Sequence, residues 1–167
     1  MRKHNLNLRR IDSDSHKEVQ SILDTAPTYY MKVEGVLKID GAAKKVFEEL
    51  PPLCTYDDKY VFFIEKNETP IGVVDLIIGY PNRKTAFLGL LLLGEKYHGS
   101  GIGRESYDLI ENYVKQFNID SIQLAVNDSN DIGMRFWLKL GFKVNGRTRL
   151  NEGLKVTSTA HVMEKFI

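Results

Sequence analysis

Cysteine is almost absent: Cys54 stands alone in 167 residues. A lone thiol excludes an intrachain disulfide, and a reducing, cytoplasmic compartment is the simplest home for it. An excess of one charge is missing too. The chain has 23 Lys and Arg against 22 Asp and Glu, a formal net charge of +1. That balance gives no reason to expect nucleic acid or an anionic membrane as partner. No apolar run approaches the ~20 residues of a membrane span. Arg2-Lys3-His4 is basic, but no apolar stretch follows it, so no signal peptide is expected. The 4 histidines are scattered without ligand spacing, and no metal is expected. Repeats and low-complexity linkers are also lacking. What remains is an ordinary globular composition, 43% hydrophobic and 27% charged. Its length suits one domain over residues 1–167.

One stretch stands out, Tyr97-His98-Gly99-Ser100-Gly101-Ile102-Gly103-Arg104-Glu105. Before it runs the apolar segment Ala86 to Leu93. After it Tyr107, Ile110, Val114 and Phe117 recur at helical spacing. The glycines therefore sit on a strand-to-helix turn. Glycine tolerates positive φ and keeps no side chain between a ligand and the backbone, an advantage expected at Gly101 and Gly103. The first amides of a helix lack internal acceptors, and the dipole makes that end partly positive. Such a turn is an anion cradle, most naturally for phosphate. It is not a Walker A loop, because Arg104-Glu105 follows the last glycine where Lys-Ser/Thr is required. A dinucleotide fingerprint fits poorly, since Arg104 falls where its third glycine belongs.

In chain order, Asn5 to Ile11 alternates as a first strand. Ser15-His16-Lys17-Glu18 reads as a capping box before a helix with Val19, Ile22, Leu23 and Ala26 on one face, ended by Pro27. Residues 28–35 show no clear periodicity. Asp40 is placed to cap a second helix carrying Ala43, Val46, Phe47 and Leu50, stopped by Pro51-Pro52. An antiparallel meander follows: Tyr60 to Glu65, Ile71 to Tyr80, and Thr85 to Leu93. After the glycine turn and its helix, Ile122, Leu124 and Val126 alternate in a strand expected to lie parallel to the one before the turn. Ile132, Phe136, Trp137 and Leu140 mark a last helix that Gly141 terminates. A hairpin closes the chain, Phe142 to Leu150 and Lys155 to Phe166.

The order β-α-α-β-β-β-α-β-α-β-β resembles the GNAT N-acetyltransferase fold from end to end. His98-Gly99-Ser100-Gly101-Ile102-Gly103 looks like that family's Q/R-x-x-G-x-G/A pyrophosphate loop, with histidine at the first position. Leu124-Ala125-Val126 followed by Asn130, and Phe136-Trp137-Leu138-Lys139-Leu140-Gly141-Phe142, match two further family segments. The resemblance implies an α/β (α+β) domain, a mixed central sheet with helices on both faces. It implies acetyl-CoA as co-substrate and a small-molecule or peptide amine as acceptor. The pyrophosphate would rest on His98, Gly99, Ser100, Gly101, Ile102, Gly103 and Arg104. The pantetheine arm would bond the main chain of Leu91, Leu92 and Leu93, and Asn130 would contact it or simply cap its helix. The acceptor's identity and the oligomeric state, monomer or homodimer, stay open.

The chemistry so implied is attack of an amine on a thioester. In many relatives a tyrosine protonates the leaving sulfur. Trp137 occupies that position here, and an indole N–H has no useful acidity. Trp137 is then a pocket wall or core residue, and an acyl-CoA-binding sensor or scaffold is the rival reading. For the base, Asp75 interrupts the otherwise apolar run from Ile71 to Ile78. A carboxylate there is costly unless paired, bonded or wet. The Pro81-Asn82 turn is expected to set it opposite Phe87 or Leu88. Tyr29, Tyr30, Tyr56 and Tyr80 are candidates for the acceptor pocket.

Overall fold

The structure, a computed structural model, describes residues 4–167. Seven strands form one sheet: β1 (Leu6–Ile11), β2 (Lys59–Lys66), β3 (Thr69–Ile78), β4 (Thr85–Leu93), β5 (Ser121–Asn127), β6 (Lys143–Glu152) and β7 (Thr157–Phe166). Their spatial order is β1-β2-β3-β4-β5-β7-β6. Only β4 and β5 run parallel, as a helical crossover between neighbouring strands requires. The helices are α1 (His16–Leu23), α2 (Pro27–Glu34), α3 (Ala42–Glu48), α4 (Ile102–Val114) and α5 (Asp131–Lys139). Alternation along the strands feeds two cores. On one face Ile64, Val74, Leu88, Ile122 and Met163 meet Tyr107 and Ile110 of α4 and Trp137 of α5. On the other, Val61, Phe63, Val73 and Leu92 meet Val19, Leu23, Ala43 and Val46 of α1 and α3.

Four local expectations are corrected. Ser15 makes no side-chain cap, because a 3-10 turn over Ser13–Ser15 leads into α1 and leaves Ser15 out of the extended conformation. Asp12 caps that turn instead, accepting from the Asp14 amide at 2.9 Å. Pro27 does not close the first helix but opens α2, since a first-turn proline gives up an amide with no helical acceptor. Residues 28–35, without a clear stripe, are thus mostly helical. Asp40 does not cap α3: Gly41 precedes the helix in the left-handed region, and the Ala43 amide donates to Gln20 Oε1 of α1. Asp75 lies opposite Leu90, not Phe87 or Leu88, because the β3–β4 register shifts between Asp75 and Leu76 and leaves Gly89 extra on β4.

Candidate functional site

Pairing between β4 and β5 covers only Thr85↔Ser121, Ala86↔Ile122 and Phe87↔Gln123. Beyond Phe87 the two strands part. The β5-side edge of β4 from Leu88 to Leu93 is therefore free of a strand partner while its other edge stays bonded to β3. A wedge opens toward the C-terminal ends of both strands. Leu91, Leu92 and Leu93 lie along that edge. The glycine turn follows at the wide end. Gly99 and Gly101 have φ of 78° and 87°, a conformation that side chains with a Cβ resist. Gly103 departs from expectation, because it already lies in the first turn of α4. Its missing side chain makes room for Phe136 of α5: a Cβ there would meet that ring at 3.1 Å.

The remaining loop residues divide between support and availability. His98 Nε2 donates to Leu93 O at 3.0 Å, which folds the loop back onto the end of β4. Ser100 Oγ donates to Tyr97 O at 3.1 Å. Gly101, Ile102, Gly103 and Arg104 stand at the start of α4, where amides lack helical acceptors. His4, from the far end of the chain, sets Nδ1 2.8 Å from Glu105 Oε1 and braces that first turn. Across the wedge, Asn130 caps α5 by accepting from the Gly133 amide at 3.0 Å. Its neighbour Ser129 carries a buried hydroxyl with no partner among the described residues.

Helix α2 lies across the wedge, an element the sequence reading missed. The Thr28 amide donates to Glu95 Oε1 just past β4. Lys32 Nζ reaches Asp131 Oδ1 at the start of α5. At its far end the Lys155 amide donates to Glu34 O and the Leu154 amide to Glu34 Oε2, which ties it to the β6–β7 tip. Tyr29 and Tyr30 ride on this helix with ring centroids 5.2 Å apart. Burial, with Glu34 nearby, pushes the Tyr29 phenol up to about 12, and burial raises Tyr30 as well. Both hydroxyls keep their protons across the physiological range. Tyr80 stands apart, at the closed end, edge-on to Phe87. Tyr56 is exposed and donates to Glu48 O.

Asp75 sits on the α1–α3 face. Its Oδ1 accepts from Lys59 Nζ at 2.6 Å, and Lys59, itself buried, also donates to Glu49 O. Burial lifts the carboxyl to about 6 despite Lys59. The second oxygen, Oδ2, faces Gly89, whose missing side chain leaves the carboxylate reachable from the β4 surface. Trp137 is buried among Tyr107, Phe136 and Phe142, all edge-on to it. It packs as core in the wall behind the wedge. Among the described residues no three His, Cys, Asp or Glu side chains gather as a metal site. Among those residues no helix is long and apolar enough to cross a membrane.

A splayed parallel pair beside a glycine turn makes a cleft with an anion cradle at its mouth, the build of an enzyme or binder of a long phosphate-bearing ligand. The model of the acetyltransferase (GNAT) family matches residues 22–142. The chain belongs to that family, and acetyl transfer from acetyl-CoA is its activity in general terms. Solved structures share the fold at low identity. An acetyltransferase from Thermus thermophilus is 19% identical, with TM-score 0.78 and 100% of both chains covered. An acetyltransferase from Salmonella typhimurium that modifies the N-terminal serine of ribosomal protein L7/L12 is 17% identical (TM-score 0.77, 98% of this chain and 95% of that one). The PaiA N-acetyltransferase from Thermoplasma acidophilum, in complex with coenzyme A, is 19% identical (TM-score 0.68, 97% and 99%). Among curated proteins none matches the sequence.

Proposed function

We propose that the chain is an N-acetyltransferase that moves the acetyl group of acetyl-CoA onto a primary amine by direct attack on the thioester. The observation that carries this reading is the wedge, with a phosphate cradle at its mouth and Asp75 on the face opposite α4. Phosphates rest on the free amides of the turn. The pantetheine arm runs along Leu91 to Leu93, with Asn130 and Ser129 on the facing side. The ammonium form of the acceptor gives its proton to Asp75, either directly or through water. The free amine attacks the thioester carbonyl carbon, and a main-chain amide near Leu92 stabilises the oxyanion. The C–S bond then breaks, CoA leaves as thiolate, and the new amide nitrogen gives up its second proton to water. With Trp137 in the core and no acid at its position, the thiolate departs unassisted, tolerable for a thiol near pKa ~8.5. A chain with one cysteine suits the cytoplasm for this work.

The test is release of CoA thiol from acetyl-CoA in the presence of a panel of primary amines. Amine-dependent release supports the enzyme. Acetyl-CoA binding without release for any amine would leave an acyl-CoA sensor or scaffold.

A further inference from the structure

Gly89 is the extra residue where the β3–β4 register shifts, yet its backbone does not require glycine. It is not among the residues with positive φ, so a side chain could follow the strand there. What a side chain would take is space. A Cβ built on Gly89 meets three atoms of Asp75 first: Oδ2 at 3.2 Å, Cγ at 3.6 Å and the main-chain O at 3.6 Å. Gly89 itself is exposed. The volume above it is therefore an opening from solvent onto one carboxylate oxygen.

The other oxygen is closed. Oδ1 accepts from Lys59 Nζ at 2.6 Å, and a second bond, to Glu49 O at 3.0 Å, fixes that ammonium in place. The Lys59 side chain is 4% exposed and that of Asp75 is 15% exposed. Oδ2 has no hydrogen-bond partner among the described residues. The charged groups that face the carboxylate are Lys59 from β2 and Glu49 just past α3. One cation against two carboxylates leaves a negative charge over, which favours a cationic visitor. The opening is also near the proposed thioester. Gly89 stands two residues, about 7 Å, before Leu91 on β4.

We propose that the space left by the missing Cβ of Gly89 seats the ammonium nitrogen of the acceptor, so that Gly89 decides whether an amine reaches Asp75. A charge-assisted N–H···O bond spans about 2.7–2.9 Å. A nitrogen bonded to Oδ2 thus stands nearly where a methyl group on residue 89 would stand. The proton passes directly: one N–H bond breaks, an O–H bond forms on Oδ2, and the lone pair stays on nitrogen. The carboxyl later returns that proton to solvent through the same opening. The class of ligand is a primary alkylammonium. A quaternary cation has no N–H to donate and carries four carbons into a space for one atom. This inference rests on the N-acetyltransferase reading for its turnover arm only.

The experiment compares wild type with Gly89→Ala and Gly89→Ser. Both variants should melt within about 3 °C of wild type and bind acetyl-CoA equally well. With the best amine of a primary-amine panel, kcat/KM should fall about tenfold or more in each. The low-pH limb of the rate should move in opposite directions. Alanine's methyl strips water from Oδ2 and moves it up, whereas serine's hydroxyl donates to Oδ2 and moves it down. Wild-type kcat/KM in Gly89→Ala, or limbs that move together, overturns the proposal while amine-dependent turnover keeps the enzyme reading. A second arm needs no turnover. The carboxyl carbons of aspartate are labelled with carbon-13, and the Asp75 signal is identified by its loss in Asp75→Asn. At pH ~8, where an alkylamine is cationic, propylamine added to the CoA-loaded wild type should shift that signal saturably. Tetramethylammonium should not shift it, and neither should propylamine with Gly89→Ala. If no amine is acetylated, the enzyme reading fails and this arm decides the seat alone. No shift in the wild type, or an equal shift in Gly89→Ala, overturns it.

Discussion

Replacing Lys59 with methionine exposes what the Asp75 pair does. Lys59 Nζ is 2.6 Å from Asp75 Oδ1 and 3.0 Å from Glu49 O. Asp75 titrates at about 6 in the fold against 3.8 for a free carboxyl. Ionising it in the folded chain therefore costs ~3 kcal/mol relative to the unfolded chain. Because the folded value is the higher one, the stabilising share of this group is full below the unfolded value and is lost as pH rises through about 6. Methionine removes the paired cation, and the folded value climbs further. At pH ~5 Asp75 is mostly protonated in both proteins, and the variant loses about 1 kcal/mol with the bond to Glu49. At pH ~8 the variant keeps a buried carboxyl without its cation, and breaking such a pair costs about 3–5 kcal/mol. Urea unfolding at the two pH values should show a loss that grows by roughly 2–4 kcal/mol between them. An equal loss at both would refute the view that Lys59 holds a titrating Asp75.

Asp75→Asn should lower kcat/KM for a true amine substrate by at least about tenfold, or ~1.4 kcal/mol, with acetyl-CoA affinity nearly unchanged. In the wild type the same parameter should rise with pH through about 6, as the carboxyl becomes able to take a proton. Saturating acetyl-CoA should raise Tm, by the equivalent of ~2.7 kcal/mol at a hundred times Kd, and Gly101→Val should lose that shift because its φ of 87° excludes a β-branched residue. Trp137→Phe should cost about 1–3 kcal/mol of stability in urea unfolding and keep most of the turnover. A loss of ~10²-fold in kcat would instead identify the indole as part of the chemistry.

Periodicity and punctuation made most of the fold legible. Strand alternation, the glycine turn and the Phe136 to Phe142 segment placed β4, α4, β5 and α5, and the parallel β4–β5 pair followed from the crossover between them. Helix α2 was hidden for a physical reason. Its 8 residues carry Tyr30 and Val33 inward but leave Met31 exposed, so no clean stripe forms, and its stability comes from ends tied to Glu95, Asp131 and the β6–β7 tip. Those ties span the chain and leave no local signature. The Asp75 register was hidden in the same way. A one-residue bulge at Gly89 changes nothing in the hydrophobic pattern of β3, yet it shifts the partner of Asp75 to Leu90.

The residues that sequence reading missed share one property: each acts through a contact made far along the chain. Lys59 falls just before the expected strand Tyr60 to Glu65, but Asp75 and Glu49 make it a buried, bonded cation. Asn151 falls between the two expected strands of the closing hairpin, and Ser158 within the second. Only the β6–β7 register sets Asn151 opposite Ser158 and Arg149 opposite Ala160, and the Arg149 guanidinium comes within 6.0 Å of the Phe87 ring centre on β4. The proposed CoA side of the site is local, one turn and one strand edge built from main chain, so motif spacing points to it. In the proposed site the acceptor side draws on β3 and β4 with α2 above. Elements so far apart in the chain leave no local motif, which is why family membership leaves the acceptor open.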